Sequence, residues 1–255
     1  MLEIFFGKYV LDKDVNEITG DDIRIFLTEY QRNNNISNRT LDKYREYILR
    51  FFTWCHETGY IPMNPGYTCK PIHYETPQRQ SLTAYELELL RNACRTAREH
   101  AIIEVLYSTA CRISELKILK FSDIDWNTGS VHIFGKGSKH RTSFLNARAK
   151  VALEKYLKYR DGNSEYIFVS EREPYGPLGK AALEKIVRDI ASRVDINKHV
   201  TPHIIRHTTA TMALHNGMNI NEISMLLGHS NIETTMIYAK TSYDAVKNSH
   251  NKYIV

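Results

Sequence analysis

"TPHIIRHTTATMALHNGMNINEISMLLGHSNIETTMIYAK", residues 201–240, decides the fold class. Thr201-Pro202 puts a hydroxyl cap ahead of a proline at the first helical position, and the helix it opens stops at Gly217. Asn219 and Glu222 have capping-box spacing, and their helix stops at Gly228. Ser230 and Glu233 repeat the spacing and open the helix that bears Tyr238. His203 and Arg206 stand one turn apart and project to one side. His229 falls where one helix ends and the next begins. Tyrosine often packs half-buried with its hydroxyl wet, and a phenol can also act as a nucleophile; this stretch alone admits both readings.

Working back from Thr201, the preceding residues read as helices interrupted by one hairpin. Thr83 and Glu86 form a capping box, with Leu87, Leu90, Ala93 and Ala97 on the buried side. Helices follow at 98–110, with Ile102, Val105, Leu106 and Thr109, and from Ile113. The turn "DWNTG", a strand at 130–134, the turn "GKGSK" and a strand around Arg141–Phe144 make a β-hairpin. Helices are expected at 148–160 and 178–193, with a short strand "YIFVS" between them. The fold class is therefore mainly α with a small antiparallel β-sheet.

The N-terminal part is helical too. Thr19 and early acids suit a helix start, and Ile23, Phe26, Leu27 and Tyr30 recur at helical spacing. A second helix runs from about Ser37 to Thr58, with Leu41, Tyr44, Ile48, Phe51, Phe52 and Cys55 as its apolar stripe. Arg39, Lys43 and Arg50 fall within about 40° of one another on its wheel, away from that stripe. They form a cationic ridge, which is either an ordinary solvated face or a surface that lies along DNA. Residues 59–81 hold four of the seven prolines and read as an extended linker, so the domains are 1–75 and 76–255.

The chain has 255 residues and a net charge of +5. Residues 1–73 carry a net −1 and residues 74–255 a net +6. The run 136–150, including Lys136, Lys139, His140 and Arg141, has five Lys/Arg and no acid, which suits a phosphate backbone or a solvated hairpin tip. No run approaches the roughly 18 apolar residues of a membrane span, and the N-terminus lacks the pattern of a signal peptide, so a cytoplasmic protein is expected. Cys55, Cys69, Cys94 and Cys111 lack metal or redox spacing, and Cys55, Cys94 and Cys111, in helical and partly apolar surroundings, read as reduced packing residues.

Taken singly, each polar residue has an ordinary explanation. Arg112 and Glu115 make an i,i+3 ion pair, His203 is a core histidine, and Tyr238 is packing. Their order, Arg112, Lys136, His203-x-x-Arg206, Gly228-His229, Tyr238, is much harder to obtain by accident. In "TACRISEL", "GKGSK", "HIIRHTTAT" and "LGHSNIETTMIYAK", spanning about 108–240, the chain resembles the tyrosine recombinase (phage integrase) family. It departs from the family pattern at Ala110, where glycine is usual and where alanine is expected to sit tolerably at a helix end. The N-terminal domain also looks shorter than the family's helical DNA clamp, as though truncated by its first helix.

The resemblance implies that Tyr238 attacks a scissile phosphate. Arg112 and Arg206 grip the non-bridging oxygens, His229 adds a donor, His203 takes the phenol proton and Lys136 protonates the leaving 5′-oxygen. Glu115 is expected to orient Arg112 or His203, and His207 to pack behind the site. Tyr243, five residues beyond Tyr238, is the rival nucleophile. The 3′-phosphotyrosyl ester would keep the bond energy, so no cofactor, ATP or metal is implied. His203 and His207 have i,i+4 zinc spacing, but "HIIRH" lacks the glutamate of a zinc protease and puts Arg206 between them. Double-stranded DNA is the expected partner, bound by Arg39, Lys43, Arg50, Lys139, His140 and Arg141, by a protein associated with the nucleoid. The tail after Tyr238 is expected to be helical and to link a homotetramer on two DNA sites, with accessory DNA-bending or directionality factors. Integration and excision of a mobile element is the expected role. The alternatives are inversion, chromosome-dimer resolution, a type IB topoisomerase-like enzyme and a DNA-binding regulator without chemistry.

Overall fold

The computed structural model describes residues 1–75, 80–135, 140–160, 163–229 and 231–238. The chain divides into two units, Met1–Gln78 and Arg79–Val255.

In the first unit a short helical turn, α1 (Leu2–Ile4), runs into a π-type turn at Phe5–Tyr9. It precedes α2 (Gly20–Asn34) and α3 (Asn38–Glu57). The capping box is present at α2: the Thr19 hydroxyl accepts the Asp22 N–H at 3.3 Å, and the Asp22 carboxylate accepts the Thr19 N–H at 2.8 Å. Phe5, Phe26 and Phe52 are fully buried. Phe5 meets Phe26 and Phe52 edge-on at 5.1 and 6.3 Å, contacts worth about 0.5–1.5 kcal/mol each beyond area burial.

Two features of this unit depart from the sequence expectation. Residues 2–9 are helical and insert Phe5 into the core. The stretch expected as a linker packs as far as Ile72, with Ile61 and Cys69 buried and a 3₁₀ turn at Pro65–Thr68. A buried ion pair on α3 is the physical cause. Arg45 Nε donates to Asp42 Oδ1 at 2.7 Å and its Nη1 to the Cys69 carbonyl at 3.3 Å, while Asp42 Oδ1 accepts the Ile72 N–H at 2.9 Å. Buried charges require such partners, and here the backbone of residues 69–72 supplies them.

In the second unit α5 (Ala97–Thr109) is the central helix. Ala101, Ile102, Ile103, Val105 and Leu106 are all fully buried, so it is apolar nearly all round, as a helix covered on several sides must be. Against it pack α7 (Ala147–Lys158), α8 (Lys180–Ala191) and α9 (Pro202–His215), with α4 (Ala84–Asn92) joined to it by the Arg91–Glu104 ion pair and α6 (Ile113–Lys117) packed on α8. Two further helices, α10 (Ile220–Leu227) and the four-residue α11 (Glu233–Met236), complete the set among the described residues. Strands β1 (Ser130–Phe134) and β2 (His140–Phe144) pair antiparallel, with Ile133 opposite Arg141 and Phe134 opposite His140. Val131 and Ile133 turn their side chains into the core.

The strand expected at 166–170 is absent as a ladder. Only isolated bridges form, Lys120 with Tyr166 and Val169 with Pro177. Ile167, Phe168 and Val169 are buried, but their backbone bonds run to loops: the Ile167 N–H reaches the Leu119 carbonyl at 2.8 Å, and the Phe168 carbonyl accepts the Leu178 N–H at 2.9 Å. An apolar run of this length records burial without specifying a partner strand. All four cysteines are free. Among the described residues no helix is long and apolar enough to cross a membrane.

Candidate active site

The end of α5 sets the first wall of the site. Its cap, Ala110, has φ +49°, the left-handed conformation that favours glycine. It sits at the helix end, as the sequence led us to expect, but in a left-handed conformation that the sequence did not mark. Left-handed geometry costs a non-glycine residue about 1–2 kcal/mol, partly offset here by about 0.8 kcal/mol for a fully buried methyl packed with Ala210, Ile223 and Leu227. The sharp turn lets Arg112 cap the next helix, α6.

Glu115, one turn into α6, is the hinge of the polar cluster. Its side chain is only 4% exposed. It accepts the Arg112 N–H at 2.7 Å, Arg112 Nη1 at 2.9 Å, and both terminal nitrogens of Arg141 at 2.9 and 2.8 Å. Burial pulls its carboxyl upward, but the Arg141 hydrogen bonds and the Arg112 N–H outweigh that and hold it below the usual carboxylate range. Arg112 itself is 44% exposed.

Arg206, on α9, is buried. Its guanidinium donates to the carbonyl of Ala110, at the end of α5, and to the carbonyl of Leu227, at the end of α10, at 2.6 Å for the latter. Both are helix-terminal acceptors that lack an intrahelical donor, so one side chain satisfies two helix ends. Burial, and then the charges of Arg112 and Arg141, lower its pKa to about 10, so it stays cationic at neutral pH.

Gly228 ends α10 in the left-handed conformation (φ +62°), and His229 follows directly. His229 Nε2 lies 3.4 Å from Arg206 Nη2, and Nδ1 lies 2.8 Å from Thr235 Oγ1. A guanidinium only donates, so Nε2 is assigned as the acceptor and Nδ1 as the protonated nitrogen. Burial, then Arg206, Arg112 and Arg141, push the imidazole down to about 4, so it is neutral at pH 7. The expected third donor is thus a neutral ring with its lone pair facing cations.

Tyr238 is half-buried, just past α11 rather than within it, and packs on the Ala110–Ala210–Ile223–Leu227 cluster. Its ring is 5.0 Å from that of His207. His203 is exposed on α9, one turn before His207. The expected capping box of α11 falls on Ser230, outside the described residues; Asn231 Oδ1 accepts the Glu233 N–H at 2.9 Å.

The structure thus gathers Arg112, Glu115, Arg206 and His229, and sets Tyr238 against His207 beside them. Lys136 and Lys139 of the hairpin turn, the rival Tyr243 and the tail lie outside the described residues. His140 is exposed and edge-on to Phe134 at 4.8 Å. On α3, Arg39, Lys43 and Arg50 are all exposed. Arg141 departs from its expected place among the free cations of the hairpin tip: its side chain is 9% exposed and hydrogen-bonded to Glu115 and to the Leu226 carbonyl. Its position opposite Ile133, an inward residue of β1, carries the signal that the run of basic residues obscured. Thr235, fully buried against His229, was not singled out, and nothing in "ETTM" separates it from Thr234.

Residues 80–244 match the phage integrase family. The chain is 30% identical over 260 residues to the tyrosine recombinase XerD of Listeria monocytogenes serotype 4b, covering 94% of this chain and 84% of that protein. It is 29% identical over 252 residues to the tyrosine recombinase XerC of Oceanobacillus iheyensis, covering 93% and 81%. Among solved structures, XerA recombinase is similar with a TM-score of 0.61 at 27% identity, covering 99% of this chain and 88% of that one. The Tn1549 transposon integrase, solved with circular intermediate DNA, shares the fold with a TM-score of 0.80 at 19% identity, covering 97% and 90%.

Proposed function

This chain belongs to the phage integrase family and is a tyrosine-type site-specific recombinase, and from that premise we propose how its residues divide the work of cutting and rejoining duplex DNA. The observation that carries the assignment is the convergence of Arg112, Arg206 and His229 beside the half-buried Tyr238.

The Tyr238 oxygen attacks phosphorus, forming a P–O(Tyr) bond as the P–O5′ bond breaks. Charge on the non-bridging oxygens is met by Arg112, through its exposed fork, and by Arg206. His203 takes the phenol proton, and Lys136 supplies one to the departing 5′-oxygen. His229 starts neutral. An anionic phosphate set among the guanidiniums offsets their repulsion and raises its pKa, so it gains a proton on Nε2 as DNA docks and then donates. Religation runs the steps in reverse with a 5′-hydroxyl from another strand.

Double-stranded DNA is the partner in this reading. Arg39, Lys43 and Arg50 on α3, with Lys139 and His140, contact its backbone, and four copies assemble on two sites through the tail, aided by DNA-bending or directionality factors. Crystal structures of XerH recombinase bound to its difH substrate, which share the fold, support the DNA partner. Integration and excision of a mobile element is one biological role. The XerC and XerD names of the curated relatives favour the other, resolution of chromosome dimers. Mapping covalent protein–DNA adducts across the genome of the host tests both. Adducts at the ends of a mobile element support the first, adducts at a single chromosomal locus support the second, and no adduct at all defeats the proposed chemistry.

A further inference from the structure

We propose that Arg141 is a positioning residue for strand cleavage: by saturating Glu115 it keeps the guanidinium fork of Arg112 open for the phosphate, and it locks β2 to the end of α10 that carries His229. The inference rests on the proposed role of Arg112.

The geometry supports each part. Arg141 gives Glu115 two parallel hydrogen bonds, at 2.9 and 2.8 Å, the bidentate arrangement that uses both carboxylate oxygens. Arg112 consequently contributes one side-chain donor, Nη1, at 2.9 Å, and among the described residues its Nε and Nη2 have no partner. A carboxylate left with Arg112 alone would draw that fork onto itself, since a buried anion takes every donor within reach. The third nitrogen of Arg141, Nε, donates to the Leu226 carbonyl at 2.8 Å. Its side chain also lies against Gly228: a Cβ there would stand 2.8 Å from Arg141 Cδ. Glycine at 228 therefore both adopts the left-handed turn and admits the arginine next to His229. Three of its five N–H groups donate to the protein and its side chain is only 9% exposed, so Arg141 is turned away from a DNA backbone despite its place in the basic run.

The test uses the full chain and nicked duplexes bearing the site it cleaves, recovered from a randomised pool by capture of the covalent adduct. R141K keeps the charge but cannot fork; R141Q removes the charge. The proposal expects single-turnover adduct formation to fall at least about 30-fold in R141K. The dissociation constant for DNA should stay within about twofold and its salt slope should not change, because no phosphate contact is lost. In an R112A background the same R141K change should cost at least about fivefold less than in the wild type, because the effect carried by Arg112 is already absent and only that on the His229 end of α10 remains. Equal losses in both backgrounds, a reduced salt slope, or wild-type cleavage by R141K and R141Q overturns the inference. Failure of both variants to fold at the assay temperature, read by circular dichroism, does so too, by assigning Arg141 to stability alone. If the wild-type chain forms no adduct on any duplex, the proposed function fails rather than this inference.

Discussion

Replacing Glu115 by glutamine keeps the shape of the side chain and removes the one carboxylate between Arg112 and Arg141. The wild-type carboxylate accepts four hydrogen bonds, and glutamine cannot: its amide nitrogen must face a guanidinium N–H. The energetic weight falls on Arg141, whose side chain is 9% exposed, rather than on Arg112, which is 44% exposed and can turn to water. Stranding a buried cation by removing its partner costs about 3–5 kcal/mol, and the exposed pair adds no more than a fraction of that. Repulsion among Arg112, Arg141 and Arg206, already evident in the lowered pKa of Arg206, works in the same direction once the carboxylate is gone. Taking about 3 kcal/mol, and 2–4 °C per kcal/mol for a unit of this size, the melting temperature should fall by roughly 6–12 °C. Differential scanning calorimetry of the full chain, run beside the wild type, reads this shift. A shift smaller than about 2 °C would refute the claim that Glu115 holds this cluster together.

Other perturbations follow from the same contacts. Asp42→Ala strands Arg45 and frees the Ile72 N–H, so the first unit should lose about 3–5 kcal/mol and the Ile72 amide should exchange its hydrogen much faster; unchanged exchange at Ile72 contradicts the account of residues 61–72. His229 has a folded pKa of about 4, below its unfolded value, so the unfolded chain binds the proton first and stability should fall as pH drops from about 6.5 to 4. After discounting for solvent screening the loss is about 1–2 kcal/mol, and His229→Gln should flatten the pH dependence of the melting temperature over that range. Neutralising Arg39, Lys43 and Arg50 together should reduce the slope of log affinity for DNA against log salt by about 2–3 units. An unchanged slope removes α3 from the DNA-binding surface.

Much of this fold is legible because its helices announce their own starts. Thr19, Ser37, Thr83, Thr201 and Asn219 each cap a helix with a side-chain oxygen, and those caps depend on only three or four neighbouring residues. What was not legible depends on residues far away in the chain. Residues 166–170 are apolar enough for a strand, but whether they form one is decided by what packs alongside. The left-handed turn at Ala110 has no glycine to mark it; it is held by a buried methyl and by Arg206, nearly a hundred residues later. Arg141 belongs to a basic run that looks solvated, and only the strand register and Glu115, 26 residues earlier, turn it inward. In the site, Arg112, Arg206 and His229 were singled out from the order of polar residues, and they lie together; that His229 would be a neutral acceptor was not legible, since it follows from burial and from three guanidiniums brought together by folding.

The most direct measurement is the identity of the residue that holds DNA. Trypsin cleaves after Arg206, Lys240 and Lys247, so Tyr238 and Tyr243 fall in different peptides. After trapping on a nicked duplex and nuclease digestion, mass spectrometry should find the nucleotide on Tyr238, within the peptide 207–240, and no adduct should form with Tyr238→Phe. A nucleotide on the peptide 241–247, or an adduct that survives Tyr238→Phe, would contradict the account at its centre.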